Sequence, residues 1–249
     1  MKKVALIPAR YASTRFPGKP LVLIGGKPMI QRVYERVMES DVDLCYVATD
    51  DYRIDNEIKK FGGKVILTSP DHPSGTDRCG EAARKLVLQP DDLVINIQGD
   101  EPFIQPEQIN QLIRLFDNPE VEIGTLVYQI EEREKIENPN VVKALLSDRK
   151  RILYFSRAAV PYIRDKEKKV VTPFYKHIGI YAYRYQTLQK LIALPQSKLE
   201  QTEQLEQLRW LEADFQIFAA ITTHESLAVD TPADLEKINH LMQWNHDGN

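Results

Sequence analysis

Through the first half of this 249-residue chain, short apolar runs alternate strictly with segments of helical period, and that alternation limits the fold more than any other feature. Val4 to Ile7, Leu44 to Ala48, Val65 to Leu67, Leu93 to Ile97 and Ile123 to Val127 read as buried strands. Between them, Pro28 to Met38 repeats apolar Met29, Ile30, Val33 and Val37 at helical spacing. Asp51 to Phe61 does so with Ile54 and Ile58 and stops at Gly62-Gly63. Asp77 to Leu88 carries Cys79, Ala82, Ala83 and Leu86, and Pro106 to Phe116 carries Ile109, Leu112 and Ile113. Alternating βα units require right-handed crossovers and a mostly parallel, doubly wound α/β sheet with helices on its faces. Such sheets bind ligands beyond the carboxyl ends of their strands. The search for a site therefore narrows to three loops: Pro8 to Pro20, Thr68 to Arg78, and Gln98 to Pro102.

The first loop gathers Arg10, Arg15 and Lys19 with Ser13 and Thr14, a set suited to wrapping a polyanion the size of a nucleoside triphosphate. It is not a Walker loop, because Gly18-Lys19 is followed by Pro20 and the upstream glycine is missing. In the second loop, Ser69-Pro70-Asp71-His72-Pro73-Ser74-Gly75-Thr76-Asp77-Arg78, small hydroxyls and a glycine precede a helix, a pocket of amides for a base or phosphate. Asp77 reads as a helix cap, and Arg78 reads equally as a surface charge or a phosphate ligand. The third loop carries Asp100 past Gly99 to the sheet edge, where a magnesium ligand belongs. A second carboxylate waits at Asp230, in Val229-Asp230-Thr231-Pro232.

Beyond Glu131 the pattern changes. Glu131 to Asn140 is charged and aperiodic, and Val141 to Leu146 and Ile152 to Phe155 flank a hairpin turn at Ser147 to Lys150. Arg164 to Lys169 is a charged loop and His177 to Tyr183 a strand. We expect one domain over 1–249, with residues 131–184 a β-rich insertion. Tyr185 to Leu194 is a helix ended by Pro195. Leu199 to Ala213 is expected to form one strong helix with Leu205, Leu208 and Leu211 inward and Glu203, Glu206, Gln207 and Arg209 on its surface. Phe215 to Ile221 is a late strand, and Thr231 caps a last helix to about Trp244.

A net charge of -3 argues against nucleic acid or a membrane surface as partner. No apolar run approaches the roughly 18 residues of a membrane span, and the apolar start is too short for a signal peptide, so a cytoplasmic protein is expected. Cys45 and Cys79 lack ligand spacing and read as buried thiols; the five histidines show no metal-binding pairing.

The runs Ile7-Pro8-Ala9-Arg10, Ser13-Thr14-Arg15-Phe16-Pro17-Gly18-Lys19-Pro20, Ser74-Gly75-Thr76-Asp77-Arg78, Asn96-Ile97-Gln98-Gly99-Asp100-Glu101-Pro102, Tyr154-Phe155-Ser156-Arg157, Lys176-His177-Ile178-Gly179-Ile180-Tyr181 and Leu205-Glu206-Gln207-Leu208-Arg209 resemble the 3-deoxy-manno-octulosonate (Kdo) cytidylyltransferases of lipopolysaccharide synthesis. The resemblance runs nearly end to end. Thr76 stands where that family often has Ser, and Ala228 where it often has Gly, and neither change touches a charge.

The resemblance implies a Rossmann-like nucleotidyltransferase that joins CTP and Kdo, with Mg2+ as cofactor and a homodimer formed partly through the insertion. Arg10, Ser13, Arg15 and Lys19 would hold the CTP phosphates or the incoming sugar, with Ser74 and Arg78 beside the nucleotide. Asp100 and Asp230 would bind the metal and, with Lys19, be catalytic. Gln98, Arg157, His177, Tyr181, Glu206 and Gln207 would line the sugar pocket, Arg157 facing the Kdo carboxylate. Taken alone, His177 and Tyr181 read as packing on a strand, and Glu206 and Gln207 as a solvated helix face. Rival readings are a cytidylyltransferase for 8-amino-Kdo or sialic acid and, from another class, a non-catalytic nucleotide-binding regulatory subunit. The Arg15-Phe16-Pro17-Gly18-Lys19-Pro20 run speaks against sialic acid, and keeping both carboxylates against a purely binding role.

Overall fold

A computed structural model describes residues 1–12, 16–165, 172–225, 228–229 and 231–247, with side chains in the last helix described to Asn239. The chain forms two compact units, Met1–Asn110 with Ser226–Asn249, and Gln111–Glu225.

The first unit follows the alternation. In order come β1 (Lys3–Ala9), a 3-10 turn (Lys19–Leu21), the short pair β2 (Leu23–Ile24) and β3 (Lys27–Pro28), and α1 (Met29–Met38). Then follow β4 (Leu44–Thr49), α2 (Tyr52–Lys60), β5 (Val65–Leu67), α3 (Gly75–Arg84), β6 (Leu93–Asn96) and the start of α4 (Pro106–Arg114). Strands β6-β1-β4-β5 lie side by side, all parallel, with Val4 against Leu44 and Val94 and Val47 against Val65. Val4, Ile7, Val47 and Ile95 are fully buried, as strands covered on both faces require. Helix α1 turns Met29, Ile30, Val33 and Val37 inward at the expected spacing. Cys45 on β4 and Cys79 on α3 are both buried, as expected, and burial pushes the Cys45 thiol pKa up.

The start of α3 differs from the sequence reading. Ser74 is its cap, accepting from the Asp77 amide at 3.1 Å, while the Ser74 hydroxyl donates to Asp77 Oδ2 at 2.6 Å. A Ser and an Asp three residues apart both suit a cap, and the extended backbone at Ser74 decides between them. Arg78 is therefore a full turn into the helix rather than at its first step.

The second unit runs β7 (Ile123–Ile130), α5 (Arg133–Glu137), β8 (Lys143–Leu146), β9 (Ile152–Ser156), β10 (Phe174–Arg184), α6 (Tyr185–Leu191), α7 (Lys198–Glu203), α8 (Gln207–Glu212) and β11 (Ile217–Thr222). Strand β7 lies between β11, parallel, and β10, antiparallel. The expected hairpin is present as β8 and β9, and β8 also pairs with β10. A single turn of helix, α5, occupies part of the stretch read as aperiodic. The chain then returns to the first unit as α9 (Pro232–Asp247), whose first turn is closed by Thr231 and Asp234: the Thr231 amide donates to Asp234 Oδ2 at 2.9 Å. Ile238 of α9 packs with Ile24, Met29 and Val229.

The expected helix from Leu199 to Ala213 is broken. Gln204 adopts a left-handed conformation (φ 53°, ψ 49°) and separates α7 from α8. Gln207 and Arg209, read as surface residues, are buried. Arg209 turns back onto α7, donating to Glu200 through Nε at 2.8 Å and Nη2 at 2.6 Å, a two-pronged ion pair that staples the two short helices.

Candidate functional site

The three loops predicted to matter meet in the first unit around a cleft of about 300 Å3. Arg10 comes from the end of β1, Lys19 from the turn beyond it, Ser74 and Arg78 from the start of α3, and Gln98 and Asp100 from the segment after β6. Close packing brings them together. A methyl group at Gly99 would lie 3.0 Å from the Pro8 carbonyl oxygen, and one at Gly75 would lie 3.2 Å from Pro8 Cγ. Both loops thus press on the end of β1 at a distance that a side chain would open.

Electrostatics divide the cleft. Lys19 Nζ is 2.7 Å from Asp100 Oδ2, with the lysine 12% and the carboxylate 30% exposed, so a cation and an anion share the floor. The Asp100 carbonyl accepts from the amide of Val229, the residue before Asp230, at 2.9 Å. Arg78 is 4% exposed, which removes the surface-charge reading. Its Nη1 donates to Thr68 Oγ1 at 2.6 Å, and its Nη2 lies 2.8 Å from Asp50 Oδ1, close but not aligned as a hydrogen bond. Ser74, whose hydroxyl is committed to the cap, presents the amino end of α3 to the cleft. Ser13, Arg15 and Asp230 lie outside the described residues.

Sequence reading gave no role to three residues here. Asp50, immediately after β4, is Arg78's ionic partner, and His72 lines the cleft with its Nε2 against Glu81 Oε2. Burial works to raise the Glu81 pKa, but hydrogen bonds from Lys85, the Ser69 amide and His72 outweigh it and lower the pKa to about 2. The signals were Asp50's place at a strand end and His72's place in the second loop. The pairings themselves are tertiary.

The donor chemistry restricts any metal. Among the described residues no three His, Cys, Asp or Glu side chains gather as a ligand cage. Asp100 offers hard carboxylate oxygen beside open cleft volume, which suits an ion that keeps waters and takes few protein ligands, as magnesium does.

The second unit holds the other predicted residues. His177 and Tyr181 stand on β10 with ring centroids 5.3 Å apart; Phe155 of β9 packs edge-on to His177 at 4.8 Å and Trp210 of α8 edge-on to Tyr181 at 5.0 Å. His177 as a residue is half-buried, and protein atoms crowd its ring enough that desolvation lowers its pKa to about 3, so the imidazole is neutral. Burial, with the nearby Glu206 carboxylate, raises the Tyr181 pKa well above its ordinary value. Tyr181 Oη is buried with no hydrogen-bond partner among the described residues. Glu206 precedes α8, and Gln207 is its buried first residue.

Arg157 sits at the helix break. Its Nε donates to the Glu203 carbonyl at 2.7 Å, Nη1 to the Pro139 carbonyl at 3.0 Å and Nη2 to the Gln204 carbonyl at 3.3 Å. Among the described residues, three of this guanidinium's five N–H groups are thus committed, leaving two for an anion. Its own carbonyl accepts from Lys143 Nζ at 2.6 Å, and Lys143, fully buried, also donates to the Asn138 and Val141 carbonyls. The second unit therefore gathers His177, Tyr181 and Glu206 in one cluster and ties Arg157 to the α7–α8 junction, while Gln98 lines the first unit's cleft.

The sequence pattern of a family described as cytidylyltransferase matches residues 4–221. The chain is 52% identical over 242 residues to the 3-deoxy-manno-octulosonate cytidylyltransferase of Cytophaga hutchinsonii, covering 95% of this chain and 96% of that one. It is 49% identical over 245 residues to the 8-amino-3,8-dideoxy-manno-octulosonate cytidylyltransferase of a Shewanella species, covering 97% and 99%. The solved structure of CMP:2-keto-3-deoxy-manno-octonic acid synthetase complexed with CTP superposes with a TM-score of 0.92 at 44% identity, over 98% of this chain and 100% of that one. No helix among the described residues is long and apolar enough to cross a membrane.

Proposed function

The chain belongs to the cytidylyltransferase family, and from that premise we propose that it carries out its relatives' reaction as follows: CTP and Kdo give CMP-Kdo and diphosphate. The anomeric hydroxyl of Kdo attacks the α-phosphorus and diphosphate leaves. The protein's task is to align two anions and offset their charge. Arg10 and Lys19 supply positive charge from the β1 loop, with Arg15 beside them in sequence. Arg78, held by Asp50 and Thr68, offers a fixed guanidinium, and Ser74 an oriented helix end. Asp100 and Asp230 would hold Mg2+, whose charge offsets that of the phosphate oxygens when bound. For the sugar, the second unit offers the cluster of His177, Tyr181 and Glu206, with Gln207 next in the chain and Arg157 for the carboxylate, and the first unit offers Gln98.

The observation that carries this reading is the convergence of three separate sequence runs on one cleft in a chain so similar, end to end, to Kdo cytidylyltransferases. The test is diphosphate release with CTP, UTP or ATP against Kdo, 8-amino-Kdo or sialic acid. CTP with Kdo should be fastest. The Shewanella relative makes 8-amino-Kdo the second reading, and faster release with it would reassign the acceptor; no release with any pair would favour a regulatory subunit.

Residues 131–184 expose Leu153 (58%) and Tyr162 (85%), large apolar surface of the kind that a partner covers, and this supports a homodimer formed in part there. A monomer mass by light scattering at working concentration would refute it. Because CTP is a cytoplasmic nucleotide, the reaction belongs in the cytoplasm; activity recovered only with the membrane fraction would contradict that.

A further inference from the structure

The β7–β10 ladder skips a register: Ile178 faces Leu126, but the next paired residue, Tyr181, faces Thr125, so Gly179 and Ile180 bulge out of the pairing. Thr125 fills this bulge. It is fully buried, and its hydroxyl oxygen lies 2.8 Å from the Ile180 carbonyl, 3.3 Å from the Ile178 carbonyl and 3.0 Å from His177 Nε2.

A threonine hydroxyl carries one proton. Carbonyl oxygens only accept, and two oxygens 2.8 Å apart with no proton between them repel, so the Thr125 proton points at the Ile180 carbonyl. Toward His177 the hydroxyl has only lone pairs left. Nε2 must therefore carry the hydrogen, and in a neutral imidazole Nδ1 is then an acceptor. Among the described residues Nδ1 has no hydrogen-bond partner, the residue is only half-buried, and its ring packs against that of Tyr181, whose hydroxyl is likewise unpartnered there.

We propose that Thr125 is a positioning residue for the sugar substrate: it fixes His177 as the Nε2–H tautomer and so turns Nδ1 into a permanent acceptor for a sugar hydroxyl. The proposal rests on the reading that places His177 in the Kdo pocket. Thr125 touches no substrate and acts through the histidine ring. No charge enters the interaction, so the pocket selects for a hydroxyl donor at that point without competing for the anion that Arg157 takes.

The experiment has two readouts. Nitrogen-15 NMR of histidine-labelled protein should show His177 protonated at Nε2 alone. Thr125→Val removes the hydroxyl at nearly constant shape; it should mix the tautomers and raise the KM for Kdo roughly three- to tenfold while leaving that for CTP unchanged. Thr125→Ser should restore both. A proton on Nδ1 of the wild-type ring would overturn the proposal, and that measurement stands whether or not Thr125→Val folds. So would a Thr125→Val protein with unchanged tautomer or unchanged Kdo KM. His177→Gln separates the two failures. If it also leaves the Kdo KM unchanged, His177 is not in the sugar pocket and the reading beneath the proposal fails; if it raises KM while Thr125→Val does not, the proposal alone fails.

Discussion

At the scale of single residues, two side chains carry the clearest expectations. Among the described residues Arg157 retains two uncommitted N–H groups, and a charge-assisted hydrogen bond to a carboxylate contributes about 1.5–3 kcal/mol. Arg157→Ala should therefore raise the KM for Kdo roughly tenfold to a hundredfold with little change for CTP. Steady-state kinetics with each substrate varied in turn would show it, and an unchanged Kdo KM with unchanged turnover would remove Arg157 from the site. Asp100→Asn keeps the size of the side chain and removes the charge that faces Lys19 across 2.7 Å. Turnover at limiting magnesium should fall by roughly a hundredfold or more, with partial recovery as magnesium rises and with an unchanged circular dichroism spectrum. Near-normal turnover at limiting magnesium would return Asp100 to a structural role. The position of Lys19 and Asp100 was legible in the sequence because both follow parallel strands, whose carboxyl ends share one edge. Asp50, Glu81 and Thr125 were not. Each acts through a partner, Arg78, His72 or His177, that only the folded chain brings within reach.

At the scale of elements, periodicity located every strand of the parallel sheet, passed over the single turn of α5 and failed at one long helix. The run from Leu199 to Ala213 keeps helical spacing straight through Gln204, and no glycine or proline marks the left-handed residue there. A left-handed non-glycine residue costs roughly 1 kcal/mol, and contacts far apart in sequence offset it. The break frees the Glu203 and Gln204 carbonyls for Arg157, and the Glu200–Arg209 pair holds the two halves. Both members of that pair are under 10% exposed. Removing one leaves the other charged and buried, which costs about 3–5 kcal/mol, so Arg209→Ala should lower the melting temperature by many degrees. The double change Arg209→Met with Glu200→Met should recover much of the loss. If Arg209→Ala melts with the wild type in a calorimeter, the pair does not hold the junction.

At the scale of the whole molecule, acid stability follows from one desolvated imidazole and from paired carboxylates such as Glu81. An unfolded histidine binds a proton below about pH 6.5, whereas His177 in the fold resists until about pH 3. Between those values the unfolded chain holds more protons, so stability falls as pH falls, by at most about 1.4 kcal/mol per pH unit. The contribution of Glu81, with its pKa lowered to about 2, is present above the ordinary glutamate value near 4.3 and is lost below it. Denaturant unfolding from pH 7 to 4.5 should show the first slope, and His177→Gln should flatten it; an equal slope in that variant would assign it elsewhere. The cysteines have a different consequence. Both lie in the first unit, buried on β4 and α3, and residues 111–225 contain none. A thiol reagent added to the native protein is thus a clock for one half of the molecule. Its rate counts how often the parallel sheet and its helices come apart, and no thiol in residues 111–225 adds to the count.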